Sequence, residues 1–599
     1  MKISRNLLVL PAIAATCLDA SALTLLHSLT DGQTHHRDGS SEILAYTADM
    51  HTVLNTVGDN TGGSFGVQVL TMAANATLSE RGFIDLGSTF GAASNWNGVS
   101  SVAADPLGRG WGAAALIPSA STTTAGKVTL FDYRNPAALV TLDVGFHPDS
   151  VKFSADGTRL FVVNEGEFNA ASGVNAPGSI SIIDLTGVNT LADVNGTNIT
   201  AADVSTFDFS SGNLASGVSL NGIRNPSIGA VGTSGTFIAN VPDFNTLAGS
   251  DPDFFKGMEP EFVTELGGKL YVTMQENNAV GVFDLATSKW SAIHNLGTIR
   301  QVIDASDQDG TGGTASPQIN DLVTGLPMPD SIAAFTAAGT KYFITANEGD
   351  ARGDDRDVSR FGDIAGNDSM NNIIDTNSPS NYPLTQTGDR ANSVLGRLNV
   401  SRLDGDTDGD GKIDTPTMIG TRSFSIWNAD TGALVWDSGS GNGNRLDTTA
   451  NPLTNIESLM LALDPAFHNT NNAVAASTDT RSDDKGPEPE GMTIGQFGSD
   501  MLAFIGLERQ NGIMVFNISD PTAPFFAGLY RGSDNAANAL MSPESLLYVS
   551  ALDSPTGQAL LLGGFELNNG GIGIYGVPEP SRVVLGLMGL ALLVLRRRR

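Results

Sequence analysis

A chain of 599 residues, 40% of them hydrophobic, is long enough for one large repetitive domain or for two to four ordinary ones. Charged residues make up only 16%, yet the formal balance at pH 7 is −31, which excludes nucleic acid as a partner and favours cations. The sole cysteine, Cys17, lies in a segment expected to be removed, so no disulfide is left to staple the fold.

The first segment, MKISRNLLVLPAIAATCLDASA (1–22), has Lys2 and Arg5, an apolar run and an A-x-A ending at Ala20 and Ala22. It reads as a secretory signal peptide, with cleavage after Ala22. Two weak repeats follow, SEILAYTADMHTVLNTVGDNTGGSFGVQVLTM (41–72) and NGVSSVAADPLGRGWGAAALIPSASTTTAGKVTLFD (97–132). Each has short apolar strands broken by Gly, Asn and Asp.

The rhythm then acquires carboxylates. FHPDSVKFSADGTRLFVVNEGEFN (146–169) sets Asp149 after a proline and closes its second strand on Glu165. The theme returns as MEPEFVTELGGKLYVTMQENN (258–278), MPDSIAAFTAAGTKYFITANEGDAR (328–352), PEPEGMTIGQFGSDMLAFIGLERQ (487–510) and MSPESLLYVSALDSPTGQALLLGGFE (541–566). Each unit ends on a third strand such as SIIDL, GVFDL or MVFNI. Seven such meanders predict an all-β fold, a seven-bladed β-propeller over 40–577 with long insertions at 186–257 and 353–421. A β-sandwich is the second choice, since it has no need of near-identical units.

In an up-down hairpin the start of one strand and the end of the next share an edge. That pairs Asp149 with Glu165, Glu261 with Glu276, Asp330 with Glu348, Glu490 with Glu508, and Glu544 with Glu566 on one rim, with Asp350 close by. The expected result is an acidic funnel at one mouth of the central channel, occupied by a metal or a cationic ligand. EGDARGDDRD (348–357) places Arg352 beside that mouth, where a guanidinium would serve a phosphate.

RLDGDTDGDGKIDTPT (402–417) carries Asp406, Asp408 and Asp410 at positions 1, 3 and 5 of a calcium loop. Lys412 offers a carbonyl at position 7 and Asp414 follows at 9, while Thr417 stands where the bidentate Glu is usual. Ca2+ is the expected cofactor, here as a clip that orders a long loop. The histidines are scattered without an H-x-x-x-H pair, which argues against zinc hydrolase chemistry.

The tail, VPEPSRVVLGLMGLALLVLRRRR (577–599), joins Pro578, Glu579 and Pro580 to an apolar run (583–595) and four arginines. That run rises about 20 Å as a helix, against a hydrocarbon core of about 30 Å, so membrane contact would be transient. The order of parts resembles the PEP-CTERM sorting signal of Gram-negative bacteria that make extracellular polysaccharide. The resemblance implies recognition by an exosortase and export to the envelope, outer surface or matrix.

HPDSV…NEGE, EPEF, MPDSIA…ANEGDAR, GRLNVSRLDGDTDGDGKID, RSFSIW, LVWDSG and PEPEGM, in that order, resemble the choice-of-anchor I family. The family is secreted and propeller-like, and some members are called atypical, calcium-dependent alkaline phosphatases. Carried over, that implies hydrolysis of phosphate esters with Asp330, Glu348, Arg352, Glu490 and Glu508 in catalytic roles and Ca2+ as cofactor. The alternative is a non-catalytic adhesion or matrix module that uses the same mouth to bind a ligand such as extracellular polysaccharide.

Overall fold

A computed structural model describes residues 23–577, except 38, 59–64, 91–94, 229–230, 232–239, 354, 363–389, 441–450 and 532–538. The predicted signal peptide, the PEP-CTERM segment with Pro578, Glu579 and Pro580, and the middle of the second insertion lie outside the described residues. Among the described residues no helix is long and apolar enough to cross a membrane.

The regular structure of the described residues is nearly all strand, organised mainly in four-stranded antiparallel sheets. In chain order, the first runs through Ser40–Thr47, Thr52–Val57, Gly66–Met72 and Leu78–Asp85, and the second through Trp96–Ala104, Trp111–Pro118, Lys127–Asp132 and Ala137–Asp143. The third comprises Pro148–Phe153, Arg159–Asn164, Ser179–Asp184 and Val204–Asp208; the fourth, Val263–Leu266, Lys269–Met274, Ala279–Asp284 and Lys289–Asn295. The fifth holds Ile332–Ala337, Thr340–Asn347, Ser423–Asn428 and Leu434–Asp437; the sixth, Pro489–Phe497, Asp500–Leu507, Gly512–Asn517 and Phe525–Arg531. The seventh is built from Pro543–Val549, Leu560–Phe565, Gly571–Gly576 and, as its outermost strand, Thr24–Thr30.

Each sheet's first strand lies against the first strand of the next, and the seventh comes back against the first. The sheets therefore form a closed, propeller-like ring. Thr24–Thr30 pairs antiparallel with Gly571–Gly576, so the two ends of the chain share one sheet and leave no open seam. This places the start of the ring before residue 40, the boundary expected from the repeats. The strand Val204–Asp208 likewise belongs to the third sheet, although it falls in the stretch 186–257 read as insertion.

The middle strands of each sheet are buried on both faces, which explains why they are continuous apolar runs instead of alternating ones. In RLFVVN, Leu160 and Val162 face the second sheet beside Trp111 and Val128. Phe161 and Val163 face the fourth, beside Leu270 and Trp290. The same division recurs around the ring: Phe343 and Trp427 pack on the fourth sheet, while Ile344 and Phe424 pack on the sixth. A buried aromatic truncated to Ala at such a seam costs about 3–5 kcal/mol.

The long connections add small sheets of their own. Ile299–Ile303, Asp321–Leu326 and Thr417–Ile419 make a three-stranded one, and Val358–Arg360 pairs with Asn399–Ser401.

Candidate acidic mouth of the ring

The bracketing carboxylates meet because one local device is repeated. Pro148 pairs with Asn164, Pro489 with Leu507 and Pro543 with Phe565, so the acid after each proline and the acid closing the next strand share an end of the sheet. The backbone N–H of Glu165 donates to the His147 carbonyl at 2.8 Å, that of Glu508 to Glu488 at 3.0 Å, and that of Glu566 to Ser542 at 3.1 Å. The accepting residues His147, Glu488 and Ser542 have φ of 46°, 50° and 64°, as does Met328 at 45°, a left-handed kink that turns the chain onto the inner strand.

The NEG triplets have a division of labour. Buried Asn164 donates to the hydroxyls of Ser179 and Ser181, and Asn347 to those of Thr421, Ser423 and Ser425, stitching the second strand to the third. The glutamate then reaches the rim. The glycine follows at positive φ, 91° for Gly166 and 82° for Gly349, where a Cβ would strike backbone atoms at 2.5 and 2.2 Å.

The serines after Asp149 and Asp330, and Ser100, join sheet to sheet. Ser150 Oγ donates to the Glu261 carbonyl at 2.5 Å, Ser331 Oγ to the Glu490 carbonyl, and Ser100 Oγ to the Pro148 carbonyl at 2.6 Å. The D-S pair in MPDSIA is thus a rim fastener.

Glu42, Asp149, Glu165, Glu261, Glu276, Asp330, Asp350 and Glu544 line one cavity of about 410 Å³. A second cavity of about 350 Å³ shares Asp330 and Glu544 with it and continues between the inner strands of all the sheets, past Lys152. Burial pushes the Lys152 amino group below its ordinary value, partly offset by Glu265.

Crowding sets the protonation of the mouth. Burial pushes Glu165 up to about 7 against the pull of His147, with Asp149 and Glu167 adding to the rise. Burial, then Glu165, takes Glu259 to about 8, and burial, then Glu566, takes Glu42 to about 7. Glu261 is held well above the carboxylate range by burial and Glu276, and Glu276 by burial and Glu259. The same holds for Asp330 through burial and Glu348, Glu490 through burial and Glu544, and Glu544 through burial and Glu508. The Oε2 atoms of Glu261, Glu276 and Glu490 are buried and have no hydrogen-bond partner among the described residues.

One corner differs. Lys485 Nζ lies 2.6 Å from Glu348 Oε1, 3.4 Å from Glu488 Oε2 and 3.6 Å from Asp350 Oδ1. Arg509 pairs with Glu488 at 3.2 Å and Glu508 at 2.9 Å, and Arg481 also pairs with Glu488. Burial works against the Glu488 charge, yet Lys485, Arg481 and Arg509 hold it down at about 2. Donor oxygens of Glu348, Glu488 and Glu508 lie within 4.8 Å of one another. Burial lifts Glu508 itself to about 8, with Glu488 and Glu348 adding to the rise.

The structure brings Asp149, Glu165, Glu261, Glu276, Asp330, Glu348, Asp350, Glu490, Glu508, Glu544 and Glu566 to this one end. Arg352 does not join them. It is 3% exposed, its Nη1 donates to the Pro226 carbonyl at 2.7 Å and its guanidinium lies 4.9 Å over the Phe168 ring. The side chain points into protein and cannot meet a phosphate in the cavity. Lys485, Glu488, Glu42, Glu259 and His147 were not foreseen. Glu259 and Glu488 stand two residues before Glu261 and Glu490 in E-P-E, a doublet that marks them.

In the acidic loop, Asp406, Asp408 and Asp414 present oxygens within 4.8 Å of one another, and Asp410 lies outside that group. Asp406 accepts from the Gly409 and Gly411 amides at 2.7 and 2.8 Å, Asp410 from the Lys412 amide at 2.9 Å, and buried Asp414 from the Thr407 amide at 2.6 Å. Strands flank the loop, Asn399–Ser401 before it and Thr417–Ile419 after, so Thr417 is committed to a sheet. Asp404 pairs with Arg224, which also binds Asp357 and donates to the Glu276 carbonyl at 2.6 Å. One guanidinium thereby ties the loop's root to the mouth.

Ring and mouth together define a β-propeller-like protein with a carboxylate-lined central opening. The choice-of-anchor I domain matches residues 42–521, so the chain belongs to the choice-of-anchor I family. A choice-of-anchor domain marks a secreted or cell-surface protein. Gigasin-3a of Magallana gigas is 29% identical over 185 residues, covering 28% of this chain; the match spans 60% of that relative's length. Among solved structures, Kuenenia stuttgartiensis hydrazine synthase aligns over 92% of this chain and 99% of its own, at 10% identity and TM-score 0.40. A putative 6-phosphogluconolactonase from Bacteroides uniformis aligns over 87% and 90%, at 11% identity and TM-score 0.38.

Proposed function

We propose that the protein is an exported calcium-binding module of a Gram-negative cell surface or matrix, whose mouth takes up Ca2+ between carboxylates of different sheets. The observation that carries this reading is the pair of buried oxygens on Glu261 and Glu276, unpartnered among the described residues and lining one cavity, with a third on Glu490 beside Glu544 of the same cavity. Ca2+ takes six to eight oxygen ligands, and this donor set is oxygen alone. Asp406, Asp408 and Asp414 would hold a further ion in the loop. The tail, with Pro578–Pro580 as its sorting motif, would hand the chain to an exosortase.

In this reading the mouth is a binding site, and adhesion to an anionic polymer through bridging Ca2+ is its use. Hydrolysis of phosphate esters is the second reading, favoured by Lys485 and Arg509 beside Glu348, Glu488 and Glu508. Metal would supply charge neutralisation there, while Lys485 and Arg509 would orient the ester.

Calorimetric titration of the chelator-stripped protein with Ca2+ tests the first reading, with the expected heat of several equivalents reduced in Glu261→Gln/Glu490→Gln. An absence of heat, or full uptake by that variant, overturns it. Turnover of an aryl phosphate that requires Ca2+ and is lost in Asp330→Asn would establish the second.

A further inference from the structure

Among the long connections beside the fifth and sixth sheets, three residues far apart in sequence close on one point. Asp304 follows the strand Ile299–Ile303, His468 follows the turn Pro465–Phe467, and Asp479 follows the turn Ala475–Ser477. All three are 0% exposed, and their donor atoms lie within 4.8 Å of one another. His468 Nε2 is 2.9 Å from Asp304 Oδ2.

Backbone and hydroxyl donors fix the carboxylates in place. The Gln318 amide donates to Asp304 Oδ2 at 2.9 Å, and the Ser316 amide and Ser482 hydroxyl donate to Asp479, each at 2.6 Å. One buried oxygen of the group, Asp304 Oδ1, nevertheless has no hydrogen-bond donor among the described residues, and neither has Asp309 Oδ1 close by, while His468 is also held by the Glu457 backbone. Buried polar atoms in native proteins are satisfied, so an ion beside these two carboxylate oxygens accounts for them.

Neighbouring charges do not supply the missing partner. Arg422 spends its guanidinium on Glu457 at 2.7 Å and on the carbonyls of Asp304, Ser482 and Asp484. Glu457 is consumed in turn by Arg422, Asn469 and the Asp304 amide.

We propose that Asp304, His468 and Asp479 hold one divalent transition-metal ion, with Asp309 as a fourth donor. An imidazole among carboxylates suits Zn2+ or Mn2+, whereas Ca2+ sites use oxygen alone. Metal–ligand bonds of about 2.0–2.2 Å bring donors within about 4 Å of one another, a small contraction of the arrangement present. The three principal donors are fully buried, so the ion is structural. It clasps the 304–318 connection to the 464–484 connection, whose end carries Lys485 into the mouth.

The test is titration of the chelator-stripped full chain with Co2+, followed by visible absorption. The expected result is one equivalent with d–d bands, displaced by Zn2+ and not by equimolar Ca2+, and a rise of several degrees in the unfolding midpoint. His468→Gln and Asp304→Asn lose that equivalent, while Asp406→Ala and Glu490→Gln keep it. Should the first two variants not fold, the wild-type titration decides alone. Absence of uptake, displacement by equimolar Ca2+, or an unchanged spectrum in folded His468→Gln overturns the assignment.

Discussion

Two corners of one mouth treat the same residue type in opposite ways. Glu488 is held at about 2 by Lys485, Arg481 and Arg509, whereas Glu259, also a glutamate two residues before a rim acid, is lifted to about 8. Burial is shared; the built-in cations are not. Where the chain supplies its own positive charge the corner is complete, and where it does not the carboxylates must take up protons or an external ion.

The largest expected effect comes from erasing that difference. Lys485→Met leaves Glu348 and Glu488 buried beside each other without their lysine, a loss of about 3–5 kcal/mol by analogy with broken buried pairs. Thermal unfolding in chelator should show it, and Ca2+ should restore part, because donor oxygens of Glu348, Glu488 and Glu508 already converge. An unchanged midpoint would mean the lysine neutralises nothing.

The second test uses pH. Glu42, Glu165, Glu259 and Glu508 stand at about 7 or 8 against an ordinary 4.5, so in that window the folded chain binds more protons than the unfolded one. Stability in chelator therefore falls as pH rises from about 4.5 to about 8. His147, raised to about 9 by Glu165 and Glu167 against the effect of burial, adds a contribution in the same sense, lost as pH rises through that value. Glu488 acts oppositely, and its contribution is lost only as pH falls toward about 2. The unfolding midpoint should be higher at pH 5 than at pH 8, and Ca2+ should flatten the slope. A flat profile in chelator would contradict the crowding.

The device that assembles the mouth was legible in large part. Proline–acid and NEG phrases located the rim acids of five sheets, because hairpin geometry alone puts both ends of a strand pair on one edge. Glu42 escaped because no proline precedes it, and Thr24–Thr30 because sequence order hides a strand that pairs with the far end of the chain. Arg352 misled because proximity along EGDAR does not give side-chain direction; Phe168 and Pro226 decide that. Lys485 in RSDDKG reads as one more solvated charge, and His468 as a lone histidine, since their partners arrive from remote connections.

Smaller effects separate scaffold from ligand chemistry. Ser331→Ala removes the fastener to Glu490 and should cost about 1 kcal/mol in denaturant unfolding, with any aryl phosphate turnover unchanged. Loss of turnover with intact stability would make Ser331 a reacting group. Asp406→Ala should remove one Ca2+ equivalent from the loop and leave the pH slope of the mouth as it was; a changed slope would couple the two sites through Arg224 and Glu276.

The most direct measurement is anomalous diffraction from crystals grown with Ca2+. The account predicts an ion in the mouth coordinated by oxygens of Glu261, Glu276, Asp330, Glu490 or Glu544 from at least two sheets. Well-ordered mouth side chains paired with one another through shared protons, with no anomalous peak between them, would contradict it.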